Sequence, residues 1–549
     1  MTTSTLKPAE LLRLAWRLQR RGLVGMTAVG VAYGAIQASA YISVAGTTAA
    51  ERAAFGRQIA AFGATYSYIL PLPVRPDTIS GYLQWRAYGA LPLLFVLWSL
   101  MSASGATRGD EDRGLVAQWL AAGAGAAGYL ASRFVAFALA AAIAVTATSA
   151  AIAGGVLVTG SALDAVAVVE VSLALLAVTL CCYAIAALVA QVPGSRAAAA
   201  GAAAMVLVVL FFLESLSRTV PGLRRAARLS PFYYYDRNTP LTPGSTWDPV
   251  ATVGLLAAAI VLMVAAAALM RARDVGAPLW QRSEPARPAL TAASSNPLLA
   301  LPVTEALYEH RRGLLAWIAG TALAAAFMAS VGRQIVDVVR EPGALRSYLT
   351  IAGHGDPYVA LTGFFWFGVA QLLLAAFAIS QVAIWTGEDS SGRLEVIFST
   401  PVRRWRLVLE RFLFLLAGVV AVVGISSTAY FGVERSQGIA LKVADLSAAA
   451  LPLVPFTLAF ASVGALLATR VPRGTTAILG ALAFFSYLAT QLGPLLKWPQ
   501  WALDLSVFSL YGTPISTGVN WSGTWILVAV VVAGFAAGAV LMQRREVGS

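Results

Sequence analysis

Charge is what this chain has least of. Of its 549 residues, 12% are charged, about half the ~25% usual for a soluble domain. Lysine occurs only at Lys7, Lys442 and Lys497, and none of the three follows a glycine. The G-x-x-x-x-G-K-[ST] phosphate loop is therefore missing, and the chain carries no P-loop ATPase of its own. The only cysteines, Cys181 and Cys182, are neighbours in an apolar stretch. Adjacent helical cysteines do not easily reach disulfide geometry, so they read as small core residues. The two histidines, His310 and His354, lie far apart without a ligand cluster, and no metal site is expected. The acids of the expected outward loops (Glu51, Asp77, Asp337, Asp356) are scattered singly, so no catalytic set and no enzyme activity is expected.

Apolar residues take the place of charge, at 58% of the chain. Stretches such as Ala198–Leu213 and Trp525–Met542 are long and nearly charge-free, and about 20 apolar residues cross the ~30 Å of hydrocarbon as a helix. The expected fold class is an all-α polytopic membrane protein. The formal net charge is +13. The basic residues favour the side assigned to the cytoplasm, so they orient the chain in the bilayer, and no nucleic-acid partner is expected. The N-terminal "MTTSTLKPAELLRLAWRLQRRGL" does not read as a cleavable signal peptide. It reads as an interfacial helix, with Leu11, Leu12, Leu14, Ala15 and Leu18 toward lipid and Arg13, Arg17, Arg20 and Arg21 toward head groups.

The sequence repeats itself in order. "RRGL" occurs at 20–23 and 311–314; "GDEDRG" at 109–114 matches "GEDSSG" at 387–392; Arg133-Phe134 matches Arg411-Phe412. Val192-Pro193 matches Val471-Pro472, "LSPFYYY" at 229–235 matches "LSVFSLY" at 505–511, and "LMRARDVG" at 269–276 matches "LMQRREVG" at 541–548. Ordered matches of this kind predict a tandem duplication. The first half, 1–272, holds an interfacial helix and spans at 22–43, 83–106, 129–158, 163–191, 196–216 and 248–272. A Pro- and Ser-rich cytoplasmic linker covers 273–300. The second half, 301–549, holds a second interfacial helix and spans at 313–335, 360–385, 407–432, 446–469, 474–493 and 521–543. Six spans per half orient both halves alike, with both termini in the cytoplasm. Gly30 and Gly34 form a small-x-x-x-small pair of the kind that joins membrane helices.

Charge concentrates in "TGEDSSGRLEVIFSTPVRRWRL", 386–407, which follows the second span of the second half on the inner face. Gly387, Glu388 and Asp389 are expected to start a short helix, where acids suit the positive helix end. Pro401 then bends the chain before Arg403, Arg404, Arg406 and Arg411. Such a helix offers a docking surface for a soluble partner; the plain alternative is a solvated loop that enforces topology. One acid, Glu170, is expected about two turns inside the fourth span, the mark of a proton relay or of a structural hydrogen bond.

The pattern E-x-x-x-G-x-x-E-x-x-x-x-x-P, here Glu388, Gly392, Glu395 and Pro401, resembles that of ABC-2-type ATP-binding-cassette exporter permeases. Two six-span halves in one chain resemble the fused actinobacterial polyketide-antibiotic (tetronasin-type) and multidrug efflux permeases of that family. The resemblance implies a coupling helix in each half that contacts a separate ATPase. Glu388, Asp389, Gly392, Arg393, Glu395, Pro401, Arg403 and Arg404 would serve in the second half, and Asp110, Glu111 and Gly114 in the first. The first half departs from the pattern: Ala117 stands in place of Glu395 and Gly123 in place of Pro401. The resemblance also implies two ATPase copies, with ATP and Mg bound by them and no cofactor in this chain. It implies a path between spans 2 and 5 of each half, which contain Phe211, Phe212, Phe364, Phe365, Trp366, Phe484, Phe485 and Tyr487. Almost no charge lies there, which suits apolar or amphipathic ligands. The expected activity is export of drugs or antibiotics across the cytoplasmic membrane. Two other readings stand beside it: a proton-coupled transporter using Glu170, and a non-transporting sensor or scaffold.

Overall fold

The computed structural model describes residues 7–65, 71–194, 196–218, 220–277, 279, 302–340, 357–390, 393–399, 403–472, 474–492 and 499–544. Among these every regular element is helical. Among the described residues, eleven helical stretches are long and apolar enough to cross a bilayer. The expected eleventh position, 474–493, holds a helix whose apolar part, Thr475–Tyr487, is shorter. The chain is an all-α polytopic membrane protein that divides into two compact units, Met1–Arg287 and Pro288–Ser549.

The first unit contains α1 (Pro8–Ala45), α2 (Ala49–Thr65), α3 (Ile79–Ser104), a π-helical turn (Gly105–Gly109), α4 (Asp110–Asp112) and α5 (Leu115–Ala121). It continues with α6 (Ala126–Val158), α7 (Ala165–Val189), α8 (Arg196–Ser217), α9 (Arg224–Ala227), α10 (Pro231–Asp236) and α11 (Pro249–Ala272). Helix α1 packs on α6 and α3, and α7 packs on α3 and α11.

The expected interfacial helix and first span are one unbroken helix here, 38 residues or about 57 Å long. Glu10 closes its start by accepting from the Lys7 backbone N–H at 3.0 Å. Leu11 and Ala15, expected to face lipid, are buried instead. Arg133 on α6 reaches the Ala15 carbonyl at 3.4 Å, and the Gln19 side chain accepts from Ser102 of α3 at 2.9 Å. Packing against two neighbours holds the entry turns in register with the span, so no break forms. Gly30 and Gly34 are used inside the unit. A Cβ on Gly30 would lie 2.2 Å from Thr148 Oγ1, and one on Gly34 would lie 2.8 Å from Ile152 Cγ1. Their missing side chains let α1 and α6 approach closely.

The second unit contains α12 (Pro302–Glu309), α13 (Arg311–Arg340), α14 (Pro357–Ser390), α15 (Arg393–Phe398), α16 (Arg404–Ser436), α17 (Val443–Ala450) and α18 (Leu453–Arg470). Then come α19 (Thr475–Leu492), α20 (Gln500–Asp504), α21 (Val507–Tyr511), α22 (Pro514–Thr517) and α23 (Trp521–Arg544). Its packing follows the same order: α13 on α16 and α14, and α18 on α14 and α23. Matched tyrosines brace the short helices in both units. Tyr235 donates to the Tyr88 carbonyl at 2.7 Å and Tyr511 to the Ala449 carbonyl at 2.8 Å.

Candidate functional site

In the second unit, Gly387, Glu388 and Asp389 do not start a helix. They form the last turn of α14, which runs on to Ser390. Acids are disfavoured at a helix C-terminus. Here Arg411, two turns into α16, meets Glu388 at 2.6 Å and lies 5.6 Å from the Trp385 ring centroid. That cation offsets the unfavourable helix end and ties α14 to α16 across the loop. The short helix is α15, which begins at Arg393 and carries Glu395 in its first turn. Leu394 is 1% exposed and anchors α15 to the unit, while Glu395 and Val396 face outward. Arg404 stacks its guanidinium 5.4 Å from the Phe398 ring, and Arg403 is exposed. A carboxylate and an apolar side chain are therefore exposed on a short helix anchored by Leu394, and an arginine is exposed just before α16. Gly392, Pro401 and the Arg393 side chain lie outside the described residues.

The matched loop of the first unit is built differently. Asp110 and Glu111 are 1% and 8% exposed. Asp110 accepts from Tyr129 at 2.6 Å and pairs with Arg113 at 2.5 Å and Arg133 at 3.2 Å. Glu111 pairs with the fully buried Arg108 at 2.8 Å and with Arg273 beyond α11. Arg108 also donates to the carbonyls of Ala190 at 3.1 Å, Gln191 at 2.8 Å and Ala277 at 3.1 Å. The π turn, the end of α7 and the chain beyond α11 are thus bound into one knot. Buried charges persist only with such full pairing. The acids expected at a docking surface have their side chains turned inward. Gly114 has φ +71°, a left-handed conformation that glycine adopts without penalty, and it turns the chain from α4 into α5.

Arg108, Arg273, Gln191 and Tyr129 escaped the sequence reading. Arg108 lies just past the expected span 83–106 and beside the acids of "GDEDRG", where an arginine reads as an ordinary loop charge. Arg133 and Arg411 were aligned by the repeat register, and each pairs with the acid aligned with the other's partner, Asp110 and Glu388.

The aromatic residues expected on the path divide into groups. Trp366 is 1% exposed and stacks on Tyr430 with centroids 6.0 Å apart, a core contact. Phe211 sits edge-on to Phe232 of α10 at 5.5 Å, and Tyr487 edge-on to Phe508 of α21 at 5.5 Å. Phe212 and Phe485 are exposed, at 44% and 64%. Phe484 is half-buried against Phe485. Phe364 and Phe365 lie on α14, with side chains outside the described residues. At the same end as Phe211, Arg218 bridges Glu214, at 3.5 Å, and Asp236. Burial pushes the Asp236 carboxyl up from its ordinary range, and Arg218 opposes that shift. Glu170 is in the second turn of α7, half-buried between exposed Val166 and Val169. That shallow position does not favour a relay.

These features define a polytopic helical membrane protein with two charged interhelical loops. Residues 299–543 match the family model described as the C-terminal domain of the multidrug efflux system permease Rv1217c. The chain is 30% identical over 304 residues to the multidrug efflux system permease protein Rv1217c of Mycobacterium tuberculosis (strain ATCC 25618 / H37Rv). That similarity covers 53% of this chain and 52% of the relative, so the chain spans about half the length of the curated relative it matches.

Proposed function

We propose that this chain is the membrane permease of an ATP-driven, ABC-2-type efflux pump that exports apolar or amphipathic drugs. Its carrying observation is the match of residues 299–543 to the permease C-terminal domain, the part that contains the charged loop at α15. In this reading both termini and both loops face the cytoplasm, and two copies of a separate ATPase supply ATP and Mg chemistry. The chain itself is not an enzyme. Outward-facing Glu395, Val396 and Arg403 suit contact with a soluble partner better than the inward-turned Asp110 and Glu111 do. ATP-driven closure of the ATPase pair would push on the α15 loop and move the long helices it is anchored to. Exposed Phe212 and Phe485 supply apolar surface for a ligand, which shifts the equilibrium only by binding one state better.

The test is ATP-dependent uptake of an amphipathic fluorescent dye into inverted vesicles that contain the chain and its ATPase, which corresponds to export from the cell. Export is expected to require ATP and to persist when a protonophore collapses the proton gradient. Export abolished by the protonophore while ATP is plentiful would overturn the reading. Replacement of Phe212 and Phe485 by alanine is expected to change drug-stimulated ATP hydrolysis by several-fold.

A further inference from the structure

The first four turns of α1 carry more charge than the fold requires. Arg13, Arg17, Arg20 and Arg21 are all exposed, and none makes a hydrogen bond or ion pair among the described residues. At about 100° per residue they share a sector about 100° wide. Leu11, Ala15 and Gln19, the buried residues of these turns, lie on the opposite side against α6 and α3. Packing therefore neither uses the arginines nor covers them. Glu10 lies within the same sector, but its carboxylate accepts from the Lys7 backbone N–H at 3.0 Å.

The matched element of the second unit is built differently. Its matched "RRGL" begins α13, and the preceding α12 carries Glu305 and Glu309. There Arg311 lies 3.8 Å from the Tyr308 ring centroid. Of these two matched elements, only α1 carries the row of four unpaired arginines among the described residues. After Arg21 the same helix continues as an apolar span, so the row lies where α1 enters the bilayer, over about 12 Å of helix axis. Guanidinium groups match phosphate oxygens in charge and geometry.

We propose that Arg13, Arg17, Arg20 and Arg21 form a binding surface for anionic phospholipid head groups at the membrane boundary. Charge complementarity and continuity with the span commit the surface to lipid rather than to a soluble partner. The inference does not depend on the transport reading.

The full chain in neutral detergent is titrated with phosphatidylglycerol or phosphatidylcholine and followed by native mass spectrometry. A basic residue near an anionic surface contributes about five-fold in affinity. Replacing all four arginines with glutamine is therefore expected to weaken phosphatidylglycerol binding ten-fold or more, and four lysines are expected to retain most of it. Added salt should weaken the wild type more than the glutamine variant. Should the fourfold variant fail to fold, Arg13→Gln with Arg17→Gln is expected to give a several-fold loss. Arg224→Gln, Arg225→Gln and Arg228→Gln together, at exposed arginines on and beside α9, are expected to leave the affinity unchanged. Equal binding of phosphatidylcholine, undiminished binding by the glutamine variants, or loss only in the α9 variant would overturn the proposal. So would normal lipid binding with loss of a co-purifying ATPase, which would make the row a protein-docking face.

Discussion

After their second long helix, the two units place an acid–arginine pair at matched positions, Asp110 with Arg133 and Glu388 with Arg411. Beyond that pair they diverge. In the first unit Tyr129, Arg108, Arg113, Arg273 and Gln191 close around the two acids, and both acids are buried. In the second, the Glu388 and Arg411 side chains keep 18% and 14% exposure, and the following α15 presents Glu395 and Val396 outward. One ancestral-looking device thus supports two different loops: a sealed knot, and an anchored short helix with a free face. A loop that spends its charges on its own packing has few left for a partner. The comparison teaches that sequence equivalence between repeats does not carry surface chemistry with it.

Breaking the knot should have the largest effect. Glu111→Ala leaves Arg108 buried without its carboxylate, a loss of about 3–5 kcal/mol, seen as a large drop in thermal midpoint in detergent. Glu388→Ala removes a partly exposed pair and should cost about 1 kcal/mol. Equal destabilisation by the two would erase the distinction. Gly30→Ala is expected to come next, because its Cβ would meet Thr148 Oγ1 at 2.2 Å; about 1–3 kcal/mol is typical of overpacking. Gly114→Ala should cost about 1–2 kcal/mol through its left-handed backbone.

The smallest effect concerns a third cluster, in which Glu214 and Asp236 share Arg218, the reverse of the arginine-rich knot. The Asp236 carboxyl is raised in the fold. Its stabilising contribution is complete below the unfolded value of about 3.9 and is lost as pH rises through the folded value. Asp236→Asn should therefore gain on the wild type between pH 4 and pH 7, read as a shrinking or reversing difference in thermal midpoint.

The long helices were legible because hydrocarbon thickness imposes a run length that the sequence states directly. The expected start of α11 at 248 and its end at 272 compare with Pro249–Ala272. The charged loop was located on its composition, but its helix boundaries were not. Acids at 388 and 389 read as a helix start, and only the contact with Arg411, more than 20 positions away in sequence, explains why they close α14 instead. The burial of Asp110 and Glu111 was illegible for the same reason. Beyond Arg108 and Arg113 in the same loop, their partners come from distant segments, Tyr129 and Arg133 on α6 and Arg273 beyond α11. Likewise the merging of the entry turns with the first span depends on Arg133 and Ser102, which lie on other helices.

The most direct test of the account is purification of the full chain from its native membranes with any P-loop ATPase it holds. Wild type is set beside a Glu395→Ala, Arg403→Ala variant and beside Arg113→Ala, an exposed arginine of the first loop. Bound ATP hydrolysis and ATPase stoichiometry are the readouts. The account predicts near two ATPase copies on the wild type, a loss of several-fold in the α15 variant at unchanged thermal midpoint, and little change for Arg113→Ala. Well-folded wild type that brings no ATPase, or a loss confined to Arg113→Ala, would contradict it.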